Sequence, residues 1–223
     1  MIPWTHLDSA AIAGGGELRL MKRGDEFSIM LGGNELMNSR LSGSEEALAS
    51  LSCERLTGRP APRLLIGGLG MGFTLRATLA HLPNDAAITV AELVPEVVAW
   101  ARGPMAAVFG DSLDDPRLRI KVGDVAILIA AARSTYDAIL LDVDNGPDGL
   151  TMDANDGLYD AKGLSAARAA LKPGGVLAVW SSAPDDAFRA RLRRAGFAVE
   201  ELKVRASGRK RGARHVIWLA VKP

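Results

Sequence analysis

Short apolar runs alternate with amphipathic segments along most of the chain after residue 62. Runs that are apolar throughout are typical of strands buried on both faces, and the segments between them predict helices. The predicted strands are Leu64–Ile66, Ile88–Ala91, Leu118–Val122, Ala138–Asp142 and Val176–Trp180. The predicted helices are Thr74–His81, Pro95–Arg102, Val125–Ala132 and Lys162–Leu171. This alternation predicts an α/β fold with a mostly parallel sheet and helices on both faces.

The C-terminal end of the chain departs from the alternation. A helical segment that ends at Gly196 is followed by two strand patterns, "FAVEELKV" and "RHVIWLAVKP", with only a loop between them. Two strands joined directly form an antiparallel hairpin. A mostly parallel sheet whose last strand is antiparallel is the Rossmann-like arrangement of S-adenosylmethionine (SAM) dependent transferases.

The N-terminal region has a different pattern. Apolar and polar residues alternate in Leu18–Leu20 and Phe27–Leu31, with glycine turns beside them, which predicts two or three short antiparallel strands. A helix is predicted next, with Glu45 and Glu46 in its first turn. We therefore divide the chain into a small β-hairpin region with a linking helix, residues 1–60, and an α/β domain, residues 61–223.

Composition and charge exclude some classes of protein. The chain has 223 residues, of which 48% are hydrophobic, and its net charge is +1. That charge argues against bulk binding of nucleic acid or of an anionic membrane. The single cysteine, Cys53, cannot form an internal disulfide, and we interpret it as a buried packing residue. With no signal peptide and no long apolar segment, we expect a cytoplasmic protein with no membrane partner.

A glycine-rich turn stands between the first predicted strand of the α/β domain and its helix. Gly68, Gly70 and Gly72 form a G-x-G-x-G pattern, whereas the dinucleotide pattern G-x-G-x-x-G would need glycine at Phe73. Glycines let the backbone approach a ligand closely, and the following helix N-terminus favours negative charge. By itself the turn fits tight packing equally well.

Acidic residues follow the next three predicted strands. Glu92 can accept hydrogen bonds from ribose hydroxyls, Asp124 can accept one from an adenine amino group, and Asp142 ends the fourth strand. We include the neighbours Leu93 and Val125 in the same nucleoside site. Each acid alone could cap a helix instead. Ligands of open α/β sheets bind at the carboxyl ends of strands, so the combination predicts a nucleoside site.

The loop after the fourth strand is rich in acids. The segment "DVDNGPDGLTMDANDGLYD" carries Asp142, Asp144, Asp148, Asp153, Asp156 and Asp160. Asp and Asn are common in solvated turns. Alternatively, the concentrated negative charge would attract a polyamine or another cation. The spacing matches neither an EF-hand nor a zinc site, so we expect no metal.

Several segments resemble the spermidine synthase (polyamine aminopropyltransferase) family. "LLIGGLGMGFTLRATLAH" resembles the glycine turn and T-L-R of that family, and "VAELVPEVVAWAR" resembles its V-E-I-D-P-x-V segment. "DDPRLRIKVGDV", "YDAILLDV" and "LKPGGVLAVWS" resemble its later segments. The resemblance runs from about Leu31 to Ser182. It implies a SAM-type nucleoside, SAM or decarboxylated SAM, as co-substrate and a small-molecule amine as acceptor.

The departures from the family concern the reaction. The family turn reads G-G-G-D-G-G, and Met71 stands where the family has an Asp that contacts the amino end of the nucleoside. The family has D-S-x-D-P after the fourth strand, whose acids bind and deprotonate the amine. Asp142 matches the first acid, and the second maps to Asn145 or to Asp144. The resemblance thus implies Asp142 and Asp144 as catalytic residues and Asp144 and Asn145 as substrate-binding residues.

The predicted function is transfer of an aminopropyl group to an amine. The alternatives are a SAM-dependent methyltransferase of unknown substrate and a catalytically degenerate nucleoside-binding paralogue. A nucleic-acid methyltransferase is not favoured, since the basic segment Lys203–His215 is typical of a solvated hairpin tip. We interpret Trp180 as a core or pocket-wall residue. Exposed edges of the N-terminal hairpins could pair between two chains, so a homodimer is compatible with the sequence.

Overall fold

The structure is a computed structural model, and it describes residues 2–12, 15–143, 157–207 and 213–223. The strands are β1 Thr5–Ala11, β2 Glu17–Arg23, β3 Glu26–Leu31, β4 Asn34–Asn38, β5 Arg63–Gly67, β6 Ala87–Glu92, β7 Leu118–Val122, β8 Tyr136–Leu141, β9 Leu171–Ser181, β10 Ala198–Arg205 and β11 Arg214–Val221. The helices are α1 Gly43–Glu54, α2 Phe73–His81, α3 Pro95–Arg102, α4 Ala106–Phe109, a 3₁₀ turn Gly110–Asp114, α5 Val125–Ala131, α6 Ala161–Ala170 and α7 Asp186–Arg194.

The larger sheet has seven strands in the order β10-β11-β9-β8-β5-β6-β7. Strands β5 to β9 pair in parallel, and β11 runs antiparallel to both β9 and β10. The predicted fold class, with a mostly parallel Rossmann-like sheet and an antiparallel last strand, is therefore confirmed. Because β6 and β8 lie on opposite sides of β5, the chain changes direction across the sheet there, and such points form ligand crevices.

The alternating side chains of the central strands form two cores, one on each face of the sheet. Leu64 and Ile66 of β5 pack with α1, α2 and α3, whereas Leu65 packs with α5, α6 and α7 on the other face. All three side chains are buried. Burial on both faces explains why the sequence of these strands is apolar throughout.

The N-terminal sheet has four antiparallel strands in the order β1-β2-β3-β4. The alternation at Leu18–Leu20 and Phe27–Leu31 marks β2 and β3. With β1 and β4 the sheet has four strands, whereas the sequence pattern predicted two or three. Leu20 and Ile29 are buried in the same core as the first face of the large sheet. The indole N–H of Trp100 in α3 also donates to the Asp8 carboxylate in β1 at 2.7 Å.

The boundary between α6 and β9 differs from the predicted elements. Helix α6 ends at Ala170, and β9 already begins at Leu171, so that Lys172–Gly175 belongs to the strand rather than to a turn before it. Lys222, which directly follows β11, pairs with this segment, because the Gly174 N–H donates to its carbonyl and its own N–H donates to the Gly175 carbonyl. This pairing comes from residues far along the chain, which a local pattern does not include.

Helix α1 packs against α2 and against β8 to β11 of the large sheet. The division of the chain at residue 60 stays a prediction. Within the described ranges, no helix combines the length and the apolar character needed to cross a membrane.

Candidate active site

A cavity of about 120 Å³ lies where β5, β6 and β8 end, under the N-terminal sheet. The predicted nucleoside-site residues that line it are Gly68, Gly70, Glu92, Leu93, Asp124, Val125 and Asp142. Apolar side chains from the N-terminal sheet cover the opposite wall, among them Leu18, Ile29 and Met37. The fold thus brings seven of the eight residues to one place, and the eighth, Gly72, lines an adjoining smaller cavity. Their binding roles stay predictions.

The glycine turn after β5 has a backbone that side chains would not tolerate. Gly68, Gly70 and Gly72 have φ values of +90°, +49° and +74°. A Cβ atom on Gly68 would lie 2.5 Å from the Asp142 carbonyl oxygen, and one on Gly72 would overlap the Phe109 ring. These glycines are therefore required for packing, and the same absence of side chains leaves the turn's backbone open to the cavity.

Glu92 joins the glycine turn to the turn after β6. Its two carboxylate oxygens accept hydrogen bonds from the backbone N–H groups of Leu69 and Val94, each at 2.9 Å. The side chain is 7% exposed, and burial raises its pKa although these hydrogen bonds oppose the rise. The backbone N–H groups of Gly70 and Leu93 also interact with this carboxylate, so Glu92 holds both turns in place, and its role as an acceptor for a ligand hydroxyl stays a prediction.

Asp124 begins α5 and caps it. Its carboxylate accepts a hydrogen bond from the Ala126 backbone N–H at 2.7 Å. The capping role that the sequence left open for this residue is therefore present. Asp124 is half-buried and lines the cavity, so the cap also holds the carboxylate in place beside it.

Asp142 directly follows β8 and lines both cavities. Its Oδ2 accepts a hydrogen bond from the Thr74 hydroxyl in the first turn of α2, at 2.6 Å. Burial raises the pKa of Asp142 to about 6, and the hydrogen bond from Thr74 opposes this rise. A buried carboxyl with a raised pKa is a candidate functional group, and the catalytic role of Asp142 stays a prediction.

The smaller cavity, of about 60 Å³, adjoins the larger one. Four residues line both cavities: Leu36, Met37, Gly70 and Asp142. Both volumes are below the roughly 300–1,000 Å³ of typical ligand sites. Met37 is one of these shared residues, and its flexible thioether side chain can adjust to a ligand at low cost.

Glu45 is the residue that sequence reasoning missed. We expected it only to favour the first turn of α1, but it lines the smaller cavity together with Asp142. Burial, together with the charge of the nearby Asp142 carboxylate, raises the pKa of Glu45 to about 7. Two acids on separate elements that meet in one cavity leave no local sequence signal; only the contact between α1 and the end of β8 reveals the pair.

Trp180, near the end of β9, forms another wall of the smaller cavity. It is 8% exposed, which agrees with its interpretation as a core or pocket-wall residue. Its indole N–H is buried and has no hydrogen-bond partner among the residues that the structure describes.

Met71 is 4% exposed and also lines the smaller cavity. At the position where the resemblance places an acid, this chain thus presents an apolar side chain to the cavity. The departure read from the sequence therefore lies within the candidate site.

Part of the predicted site lies outside the described residues. Asp144, Asn145 and the acids Asp148, Asp153 and Asp156 belong to that part, so their predicted roles stay predictions. Within residues 2–12, 15–143, 157–207 and 213–223, no group of three or more His, Cys, Asp or Glu side chains is placed to hold a metal ion.

The fold and the strand-end acids define a class of protein. Residues 93–216 match the family described as S-adenosyl-L-methionine-dependent methyltransferase. The chain belongs to this family.

Individual relatives narrow the comparison. The chain is 34% identical over 127 residues to a polyamine aminopropyltransferase of Nitrosomonas europaea, an alignment that covers 57% of this chain and 37% of the relative. It is 28% identical over 192 residues to a polyamine aminopropyltransferase of Mycobacterium tuberculosis, covering 82% of this chain and 35% of the relative. A putrescine N-methyltransferase 2 of Nicotiana attenuata is 34% identical over 119 residues, or 53% and 30% of the two chains. The alignments thus span between 30% and 37% of the length of these relatives.

Solved structures agree in fold. A spermidine synthase in complex with the transition-state analogue AdoDATO has a TM-score of 0.75 and 21% identity, covering 98% of this chain and 72% of that one. The spermidine synthase from Thermotoga maritima has a TM-score of 0.76 and 19% identity with the same coverage. The spermidine synthase-like resemblance read from the sequence is therefore confirmed at the level of the fold.

Proposed function

We propose that this protein is a transferase that moves an aminopropyl group from decarboxylated SAM to a small-molecule amine. The observation that carries the proposal is the pair of adjoining cavities: one is lined by Glu92 and Asp124, and the other by two carboxyl groups. The similarity to polyamine aminopropyltransferases supports the same reaction.

The larger cavity suits the nucleoside part of such a donor. Glu92 offers acceptors for the ribose hydroxyls, and Asp124 offers one for an adenine amino group. The side chains of Leu18, Ile29 and Val97 supply apolar surface for the base. The sulfonium end would lie at Gly70 and Asp142, where the two cavities adjoin.

Positioning supplies much of the acceleration in this reaction class. An amine nucleophile must be neutral and in line with the carbon attached to sulfur. We assign Asp142 to hold the amine at the junction of the cavities. Asp144 and Asn145 are proposed to extend this acceptor site.

Methyl transfer from SAM is the second candidate. It is favoured by Met71, since an apolar side chain stands where the aminopropyltransferase family has an acid, and by the similarity to a putrescine N-methyltransferase. A homodimer and a cytoplasmic location stay predictions.

The test is a calorimetric titration of the purified protein with decarboxylated SAM and, separately, with SAM. Each complex is then incubated with a panel of primary amines, and the products are identified by mass spectrometry. Tighter binding of decarboxylated SAM and products that gain an aminopropyl group support the proposal. Products that gain a methyl group would replace it with methyl transfer. Nucleoside binding without any product would identify a degenerate paralogue.

A further inference from the structure

The smaller cavity contains two acids and no described base. The described side chains that line it include Glu45 and Asp142 but no Lys, Arg or His. An occupant that neutralises these acids must therefore bring its own positive charge, as a protonated amine does. The Trp180 side chain lies on the same wall of the cavity.

A continuous hydrogen-bond chain leads away from Glu45. The Ser44 hydroxyl donates to Glu45 Oε2 at 2.6 Å, and the same hydroxyl oxygen lies 2.9 Å from His215 Nδ1 in β11. Ser44 is buried, so that its hydroxyl has no access to bulk water. The His215 ring is half-buried and packs edge-on against Trp180, with ring centroids 4.7 Å apart.

The hydrogen bonds that link Glu45, Ser44 and His215 can be donated in either direction. A serine hydroxyl has one proton to donate and two lone pairs to accept with. While Glu45 is ionised, Ser44 donates to it and Nδ1–H of His215 donates to Ser44. Once Glu45 is protonated, its O–H donates to Ser44, and Ser44 donates to an unprotonated Nδ1. The two arrangements differ by the transfer of one proton along the chain.

We propose that Glu45 takes a proton from the acceptor amine and passes it through Ser44 to His215. The proposal rests on the proposed transfer function and deepens it by assigning the proton acceptor. Glu45 would contact the amine and is thus a catalytic residue, whereas Ser44 and His215 act through it.

The proposed step transfers one proton and one aminopropyl group. The bound ammonium loses one proton to the Glu45 carboxylate, which frees the nitrogen lone pair. That pair forms the new N–C bond as the C–S bond breaks, and the C–S pair stays on sulfur, which becomes a neutral thioether. The Glu45 proton then moves to Ser44 Oγ while the original hydroxyl proton moves to His215 Nδ1, which can accept it because His215 begins the step with its single proton on Nε2. Glu45 is again a carboxylate, and His215 releases its proton from Nε2.

The groups around Glu45 suit this role. Asp142 faces it from the end of β8, Thr74 of α2 hydrogen-bonds Asp142, and Glu46 is its acidic neighbour on α1. Burial and the Asp142 charge raise the pKa of Glu45 to about 7, and burial lowers the pKa of His215. A carboxyl that titrates near 7 is a far better proton acceptor at neutral pH than one at its ordinary value.

The test measures transfer to 1,4-diaminobutane across a range of pH for the wild type, Glu45→Gln and Glu46→Gln. Glu46→Gln is the matched control, since it removes the same charge from the exposed neighbouring position on α1. We expect Glu45→Gln to lower kcat about a hundred-fold or more and to abolish the rise of kcat near neutral pH. Glu46→Gln should stay within about two-fold of the wild type.

The relay is tested with Ser44→Ala and His215→Asn. Asparagine keeps a hydrogen-bonding group near the Nδ1 position but cannot accept the proton. Both variants should lower kcat several-fold to about ten-fold with little change in KM for the amine, and calorimetric binding of methylthioadenosine should be unchanged. A purely structural role for His215 would instead change binding and thermal stability together.

The outcomes separate the two proposals. If the wild type transfers the group and Glu45→Gln matches Glu46→Gln, Glu45 is not the proton acceptor, and only this inference falls. If Ser44→Ala and His215→Asn keep wild-type kcat, the relay is wrong. If the wild type binds nucleoside but modifies no amine, the proposed function falls, and this inference falls with it.

Discussion

The two ends of β8 each carry an aspartate, and their surroundings are opposite. At the start of the strand, Asp137 is 3% exposed and accepts from Arg59 Nη1 at 2.9 Å, Lys172 Nζ at 2.7 Å and the Arg63 backbone N–H at 2.8 Å. Just after the strand's end, Asp142 has the Thr74 hydroxyl as hydrogen-bond donor and Glu45 as an acidic neighbour.

The pKa shifts follow this difference. Desolvation alone would raise the pKa of Asp137, but the hydrogen bonds from Lys172, Arg63 and Arg59 outweigh it and lower that pKa. At Asp142, burial dominates and raises the pKa to about 6. Paired charges hold a fold together, whereas unpaired acids are maintained only where something else uses them. The comparison separates an end of β8 where the acid is paired with cations from an end where two acids without a described cationic partner line the candidate site.

The largest expected effect is that of Asp142→Asn on activity. The change removes the carboxylate at the junction of the cavities, so transfer should fall by roughly 10²–10⁴-fold. The free energy of unfolding should be unchanged or slightly higher, because ionised Asp142 has no cationic partner among the described residues. Steady-state kinetics and urea unfolding measure the two quantities. Loss of folding in this variant would contradict the comparison.

Asp137→Asn should lower stability and leave nucleoside binding unchanged, which is the reverse of the effect of Asp142→Asn. It leaves Arg59 and Lys172 without their anion, at a cost of about 2 kcal/mol in unfolding free energy, since both cations are partly exposed. Nucleoside affinity of the folded variant should be unchanged. Glu200→Gln serves as control, because its ion pair with Arg55 is exposed and should contribute at most about 0.5 kcal/mol. Equal losses in both variants would remove the distinction between a buried and an exposed pair.

Thr74→Val tests the role of the hydroxyl that donates a hydrogen bond to Asp142. Without this donor the pKa of Asp142 should rise further, because a hydrogen bond to the ionised form is lost. We expect transfer to fall about ten-fold near pH 6 and less at pH 8, where Asp142 is ionised in either case. Thr74→Ser keeps the hydroxyl and should follow the wild-type pH profile. An identical profile for the valine variant would show that Thr74 serves packing alone.

The last prediction concerns how the free energy of unfolding depends on pH, with no effect on activity implied. The pKa values of Glu45 and Asp142 rise on folding, from 4.5 to about 7 and from 3.8 to about 6. The folded state therefore holds more protons than the unfolded state between about pH 4 and 7, and the free energy of unfolding should fall as the pH rises through this interval.

Two variants separate the contributions to this pH dependence. Glu45→Gln should flatten the fall in stability, as measured by urea unfolding at several pH values. Asp137 acts oppositely, because its lowered pKa gives stability that is lost as the pH falls below about 4. A wild-type stability that rises between pH 4 and 7 would contradict the raised pKa values.

Local patterns predicted much of the fold. The helix Pro95–Arg102 and the strand Leu118–Val122 match the structure at both ends. The antiparallel last strand followed from two strands with only a loop between them. The N-terminal sheet has four strands where the pattern predicted two or three, and only β2 and β3 were located by residue, since β1 is largely exposed and β4 is short. Their register is set by pairing with β2 and β3 rather than by their own side chains.

The candidate site, like the fold, was predicted in part by the sequence and in part revealed only by the tertiary structure. The sequence by itself determined the glycine turn and the acids at three strand ends, because parallel strands bring their carboxyl ends to one edge of a sheet. Only the tertiary structure placed Glu45 beside Asp142, set Ser44 between Glu45 and His215, and made Met37 part of the wall of both cavities. These contacts join segments that are distant along the chain. Their burial, which sets the pKa of each acid, exists only once the helices and both sheets have packed.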